Sequence, residues 1–206
     1  SSIISFSKIT CGKTDEGMSV YADAIRANGA SMVTELLYWS DYYDSIISPF
    51  YSYSTGKTTE TSRNNMITSR DINGDGEIEI PVDKSVSGLP DSVTAQSWVG
   101  YESTVLKHRA YSYAVRDDGY LIVLDDELFS KAYIKYDSTK RQLDVTDGKN
   151  KAFSIITVMR TNYNSDDYSG YTEISSDSGL VYLCSVTENS KINVTVDDVK
   201  NIFRTY

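Results

Sequence analysis

Histidine is almost missing from this chain: His108 is the only one in 206 residues. That scarcity removes most zinc chemistry and leaves a Ser-His-Asp arrangement only one base to use. No G-x-S-x-G nucleophile turn accompanies it, and a surface or half-buried strand position between Lys107 and Arg109 accounts for it. Cysteine is scarce as well. Cys11 and Cys184 make no C-x-x-C pair, which argues against thioredoxin-type redox chemistry and zinc ribbons. The two either pair across a very long loop, stabilising by about 4–5 kcal/mol in the chain-entropy picture, or are two buried free thiols. No run of about 18 apolar residues exists, so no helix is expected to span a membrane. The opening "SSIISFSKIT" lacks a basic stretch followed by an apolar core and does not read as a signal peptide. It also lacks Met, so the chain is expected to be a processed or excised piece of something longer.

Positive charge is in deficit: 20 Lys and Arg face 29 Asp and Glu, a net charge of −9. An acidic surface repels phosphate backbones, so nucleic acid is not an expected partner. Phosphate loops are absent too. Gly12-Lys13-Thr14 and Gly56-Lys57-Thr58 have only the end of that motif, since Ser7 and Tyr51 stand where its first Gly belongs.

Tyrosine is abundant, with 17 copies, and this composition favours β structure. "IISFSKITCG", "SVYADAIRA" and "SMVTELLYWS" read as successive strands, and Asn28-Gly29 between the last two is a hairpin signal because both residues tolerate positive φ. "SIISPFYSYS" and "NNMITSRDI" read as further short strands, and "EIEIPV" alternates as a strand closed by Pro81. Residues 83–97 hold Gly, Pro and Ser with little periodicity and suggest a boundary. The second part alternates again. "VLKHRAYSYAV" and "YLIVL" make a hairpin across "RDDG", "AYIKYD" and "RQLDVTDG" another, and "GYTEI" and "LVYLCSV" a last one beyond the long strand "KAFSIITVMRTN". The period then changes. Val199, Ile202, Phe203 and Tyr206 recur at helical spacing after Thr195, Asp197 and Asp198, predicting a C-terminal amphipathic helix. The expected fold is therefore α+β and mostly β. Residues 1–90 form an antiparallel, propeller-blade-like meander, and residues 91–206 an antiparallel sheet with a C-terminal helix.

The densest chemistry lies in "DINGDGEIE", residues 71–79. Asp71, Asn73, Asp75 and Glu79 offer oxygens at relative positions 1, 3, 5 and 9, and Glu77 would offer its backbone carbonyl at position 7. Calcium is a hard cation taking six to eight oxygens at about 2.3–2.6 Å, and this spacing wraps donors around one point. Gly76 permits the sharp turn, and Ile78 anchors the loop to a core. The EF-hand pattern also needs an acid at position 12, where Val82 stands, so the helix-loop-helix version fails. A structural calcium ion is the expected cofactor, since close carboxylates repel one another in an empty turn.

The loop resembles the D-x-[DN]-x-D-G-x-x-[DE] calcium loops of FG-GAP and VCBS-type repeats, with Glu79 at the ninth-position acid. "TSRDINGDGEIEIP", Trp98 some twenty residues on and "VDDVKNIF" together resemble a set of uncharacterised secreted lipoproteins of gut Firmicutes. The likeness covers the loop closely and most of the chain loosely. It implies an extracellular or cell-surface module with a propeller-like portion and a small α+β domain, and it carries no activity with it.

Aromatic residues cluster just before the loop. Tyr38, Trp39, Tyr42, Tyr43, Tyr51 and Tyr53 form a candidate ligand surface, whose rings suit a glycan or a protein partner. The competing reading of each is an alternating strand residue, half of them in the core. Acid pairs stand at Asp117-Asp118, Asp125-Asp126 and Asp166-Asp167. A glycosidase needs two carboxylates about 5–10 Å apart across a cleft, whereas adjacent acids read as solvated turns and caps. Two functional expectations follow: a non-catalytic, calcium-stabilised extracellular module of a bacterial surface protein, or a fragment of a secreted hydrolase using acids such as Asp125 and Asp126.

Overall fold

The computed structural model describes residues 3–15, 17–52, 54–58 and 60–206. The fold is mostly β, built of antiparallel sheets with short helices. The chain forms two compact units. One comprises the residues up to Ser85 together with Gln96–Tyr111, the other Val86–Ala95 together with Ser112–Tyr206. The sequence suggests one boundary at 90/91; the chain passes from one compact unit to the other three times, after Ser85, Ala95 and Tyr111.

In the first unit, β1 (Ile3–Thr14), β2 (Gly17–Arg26), β3 (Met32–Ser40) and β4 (Ser45–Ile47) pair in chain order as an antiparallel meander. The Asn28-Gly29 hairpin forms as expected. The Asn28 carboxamide oxygen accepts from Ala30 N and Ser31 N, both at 3.1 Å, while Gly29 takes φ +67°. Alternation explains β3: Leu36, Tyr38 and Ser40 point inward, Leu37 and Trp39 outward. β5 (Tyr51–Ser52) and β6 (Lys57–Thr58) form a small ribbon. Residues 61–70 make no strand, in contrast to the expectation for "NNMITSRDI". Their backbone is held instead by isolated bridges from Arg63 to Met32 and from Arg70 to Glu79. β7 (Ile80–Lys84) follows, then β8 (Val93–Glu102) and β9 (Val105–Val115), in the order β7-β8-β9. β8 begins inside the stretch that reads as a linker.

The core of this unit gathers Tyr21, Leu36, Phe50, Ile78, Ile80 and Tyr101. Beside it lies a buried polar cluster without any sequence signature. Arg63 and Asp23 pair at 2.7 Å with both side chains out of solvent. The Asp23 carboxylate also accepts from Thr34 Oγ1 at 2.6 Å, Ser69 N at 2.8 Å and Ser69 Oγ at 2.8 Å. The Arg63 guanidinium further donates to Thr34 Oγ1, Thr61 O and Ile67 O. Burying charge is tolerable only when it is paired and bonded this fully, and here the bonding fastens residues 61–69 onto β2 and β3.

The second unit takes the start of β8 and the end of β9, then β10 (Tyr120–Leu124), α1 (Asp126–Lys131), β11 (Tyr133–Asp137), β12 (Gln142–Thr146), β13 (Lys151–Met159), β14 (Thr172–Ser176), β15 (Leu180–Val186), α2 (Val196–Ile202) and β16 (Phe203–Thr205). One sheet has the order β11-β12-β13-β15-β14, and β8, β9, β10 and β16 lie side by side in another. Val115, Ile122, Leu143, Phe153, Ile155 and Val199 are among its core residues. The C-terminal helix exists but is shorter than its apolar period suggests. Thr195 caps it in a reciprocal box with Asp198, whose amide donates to Thr195 Oγ1 at 3.2 Å while its carboxylate accepts from Thr195 N at 2.8 Å. The helix stops at Ile202 because Phe203 and Thr205 pair with Ile122 and Tyr120 of β10. A strand edge offers unpaired backbone groups, and the last residues satisfy them. The expected run of helix to Tyr206 is thus corrected.

Both cysteines are free. Cys184 is buried in β15, and burial pushes its thiol up to about 12; Cys11 on β1 is exposed, so the reading of two buried thiols holds for only one. No helix of the described residues is long and apolar enough to cross a membrane.

Candidate metal site

Loop 71–79 closes on a two-way backbone pair. Arg70 N donates to Glu79 O at 3.1 Å and Glu79 N donates to Arg70 O at 2.9 Å. Ile72 and Ile78 are buried and pin the loop from beneath. The fit against β1 is so close that a Cβ on Gly12 would lie 2.3 Å from Ile78 Cγ1. Gly74 and Gly76 take φ +87° and +88°, a left-handed region open to glycine. Side chains then brace the turn. Asp71 accepts from Gly74 N at 2.6 Å and Gly76 N at 2.9 Å, Asn73 Oδ1 from Asp75 N at 3.0 Å, and Asp75 Oδ1 from Glu77 N at 2.8 Å.

This bracing brings Asp75, Glu77 and Glu79 together, each with one carboxylate oxygen within 4.8 Å of the others. Glu79 is fully buried. Its Oε2 accepts from Ile72 N at 3.0 Å, and its Oε1 has no hydrogen-bond partner among the described residues. Burial pushes its carboxyl up to about 7; the Ile72 N–H opposes that shift, and the charges of Asp75, Asp71 and Glu77 add to it. Glu77 has a weak counter-charge, Arg109 Nη2 at 3.4 Å, but that guanidinium bonds Glu102 more closely at 2.8 Å. The buried Tyr21 hydroxyl is also pushed up, by burial first and then by Glu77, Glu79 and Asp15. An acidic triad of this kind can hold a metal ion.

Of the five ligands expected from sequence, three therefore converge. Glu77 joins through its side-chain carboxylate, whereas its spacing points to the backbone carbonyl. Asp71 is not among the converging acids; its carboxylate bonds loop amides. Asn73 donates to Asp75 Oδ2 at 2.8 Å.

The other candidates separate. Tyr38 is buried, its hydroxyl 3.4 Å from that of Tyr101, and so is removed from the ligand surface. Trp39, Tyr42, Tyr43 and Tyr51 are exposed; Tyr53 lies outside the described residues. Asp125 caps α1, accepting from Leu128 N at 2.7 Å, and Asp126 starts the helix on its exposed side. Asp118 is no solvated turn residue: it is buried, paired to Arg141 at 2.6 Å and bonded by the Tyr136 hydroxyl at 2.9 Å. His108 Nδ1 lies 2.8 Å from Ser97 Oγ, and its ring packs on Tyr111 at 4.0 Å. The Asp23–Arg63 cluster was invisible in sequence, because no local pattern links partners so far apart. No family model matches this chain, and no curated protein or solved structure does either.

Proposed function

We propose that loop 71–79 binds calcium and that the chain is a non-catalytic, calcium-stabilised module of a bacterial surface protein. The observation that carries this reading is Glu79 Oε1: buried, without a partner among the described residues, and grouped with the carboxylates of Asp75 and Glu77. An unpartnered buried acceptor is costly, and a cation at that point would satisfy it. The grouped donors are all carboxylate oxygens, with neither imidazole nor thiolate, which suits a hard cation. Calcium tolerates the uneven geometry of such a loop better than magnesium, which demands a near-ideal octahedron. The ion's role would be to fasten the loop and β7 beside β1. Loops of extracellular modules bind calcium at about 10⁻⁴–10⁻³ M, a range that fits a location outside the cell. The partner, a glycan or a protein, would meet the exposed aromatic residues of the same unit.

Isothermal titration of calcium into chelator-treated protein tests this, beside the variants Asp71→Ala/Asp75→Ala and Glu79→Gln. One binding event that raises Tm in the wild type and is lost in Asp71→Ala/Asp75→Ala supports the assignment. No heat up to millimolar calcium, or binding unchanged in both variants, sinks it.

A further inference from the structure

The hairpin tip between β3 and β4 concentrates exposed aromatic surface. Trp39 is 51% exposed, Tyr42 87% and Tyr43 65%, and Ile46, paired with Trp39 across the strands, is 67% exposed. These side chains are not loose. Trp39 Nε1 donates to Asp41 Oδ1 at 3.0 Å, and the rings of Tyr42 and Tyr43 meet edge to face at 4.8 Å. Asp44 closes the turn at φ +48°. The charge along this stretch of chain is of one sign. Between Arg26 and Lys57 the chain has no Lys or Arg, while it has Glu35, Asp41 and Asp44.

We infer that this tip is a docking site for a basic polypeptide segment, taking Lys or Arg side chains onto the faces of Trp39, Tyr42 and Tyr43 beside the Asp41 and Asp44 carboxylates. Aromatic faces carry the negative part of the ring quadrupole and attract cations within about 6 Å. Adjacent carboxylates add long-range attraction, and the acidic net charge of the chain steers a cationic partner towards it. Exposed Trp and Tyr are the residue types that dominate binding energy at interfaces, with Arg as their common counterpart. An apolar ring strip alone would suit many partners; the paired acids select the cationic one. The inference rests on the reading of the chain as a binding module and is independent of the calcium loop.

Fluorescence provides a selective test. The chain has two Trp residues, and Trp98 is fully buried, so solvent-exposed emission reports Trp39. Hexa-arginine and hexa-lysine are titrated in chelator and again in calcium, with hexa-glutamate and cellohexaose alongside. The expected result is a saturable change with the cationic peptides alone, weakened by salt. Asp41→Asn/Asp44→Asn keeps the reporter, keeps the turn because Asn tolerates positive φ, and should weaken binding about tenfold. Asp166→Asn/Asp167→Asn removes the same charge from exposed positions in the second unit and should leave binding within about twofold. Circular dichroism checks that each variant folds. Equal weakening by both double variants would reduce the effect to general acidity and overturn the site. Saturation with cellohexaose but not the peptides would replace it with a sugar platform, and no response to any probe would also overturn it. A response in chelator from protein that binds no calcium would retain this site and reject the calcium reading.

Discussion

Two Asp-Gly turns, one in each unit, use carboxylates in opposite ways. In the second unit, Asp147 sits in the turn Asp147-Gly148-Lys149-Asn150, half-buried and saturated with donors. Its oxygens accept from Lys149 N at 2.9 Å, Asn150 N at 2.8 Å, Lys191 N at 2.7 Å and Ser190 Oγ at 3.3 Å. Those N–H groups hold its carboxyl well below the usual carboxylate range. In the first unit, Glu79 is buried with one oxygen unpartnered among the described residues and two further carboxylates beside it, and its carboxyl is held above that range. The lesson is that an acid-rich turn is not one kind of object. Where backbone amides saturate a carboxylate, its charge is part of the fold. Where burial and like charges oppose it, the turn can take up a cation or a proton.

The largest effect should come from the ion itself. Calcium at a hundredfold excess over Kd should stabilise the protein by about 2.7 kcal/mol, and a chelator should abolish the gain; thermal unfolding with and without chelator measures it. Asp147→Ala should retain that calcium-dependent shift in full, and its loss there would erase the distinction between the two turns.

The next largest effect concerns the seat of the loop. Gly12→Ala forces a methyl group against Ile78, and overpacking of this kind costs about 1–3 kcal/mol. It should also weaken the proposed calcium binding, because Ile78 lies between Glu77 and Glu79 of the acidic triad. Urea unfolding and calcorimetric titration of the same variant separate the two losses.

Glu79→Gln should reverse sign with conditions. In chelator at pH 7 it removes a buried charge beside two others and should melt above the wild type; in saturating calcium it should melt below it. An unchanged order in both conditions would count against any cation at this point.

The smallest effect is the pH response of Asp147. Its folded pKa is depressed, so its stabilisation is present above the unfolded value of about 3.9 and is lost as pH falls through the folded value. Wild-type protein should therefore lose stability below about pH 4 that Asp147→Asn, already lacking the charge, does not lose. Parallel acid melting curves would show that the bonds to the turn amides contribute nothing.

Local pattern made much of this protein legible. The donors of 71–79 are near neighbours in sequence, and short-range turn geometry alone brings most of them together. The Asn28-Gly29 hairpin, strands β9 to β15 and the Thr195 cap are readable for the same reason. Legibility failed where distant groups decide. In "ELLYWS" apolar residues occupy both phases of the alternation, so nothing local tells Tyr38, which is buried, from Trp39, which is exposed. Helical spacing at 199–206 competes with the open edge of β10, and the edge takes Phe203.

The sequence by itself determined the β-rich class, the acidic surface and a turn built to crowd carboxylates, because composition, alternation and short spacings act within a few residues. Only the tertiary structure decided which acids meet, which one is buried with an orphaned oxygen, and which aromatic rings face water. It also decided that Arg63 would meet Asp23, 40 positions earlier in the chain, in a dry interior. Burial and long-range pairing depend on what packs over a residue, and that is settled by the whole chain rather than by its neighbours in sequence.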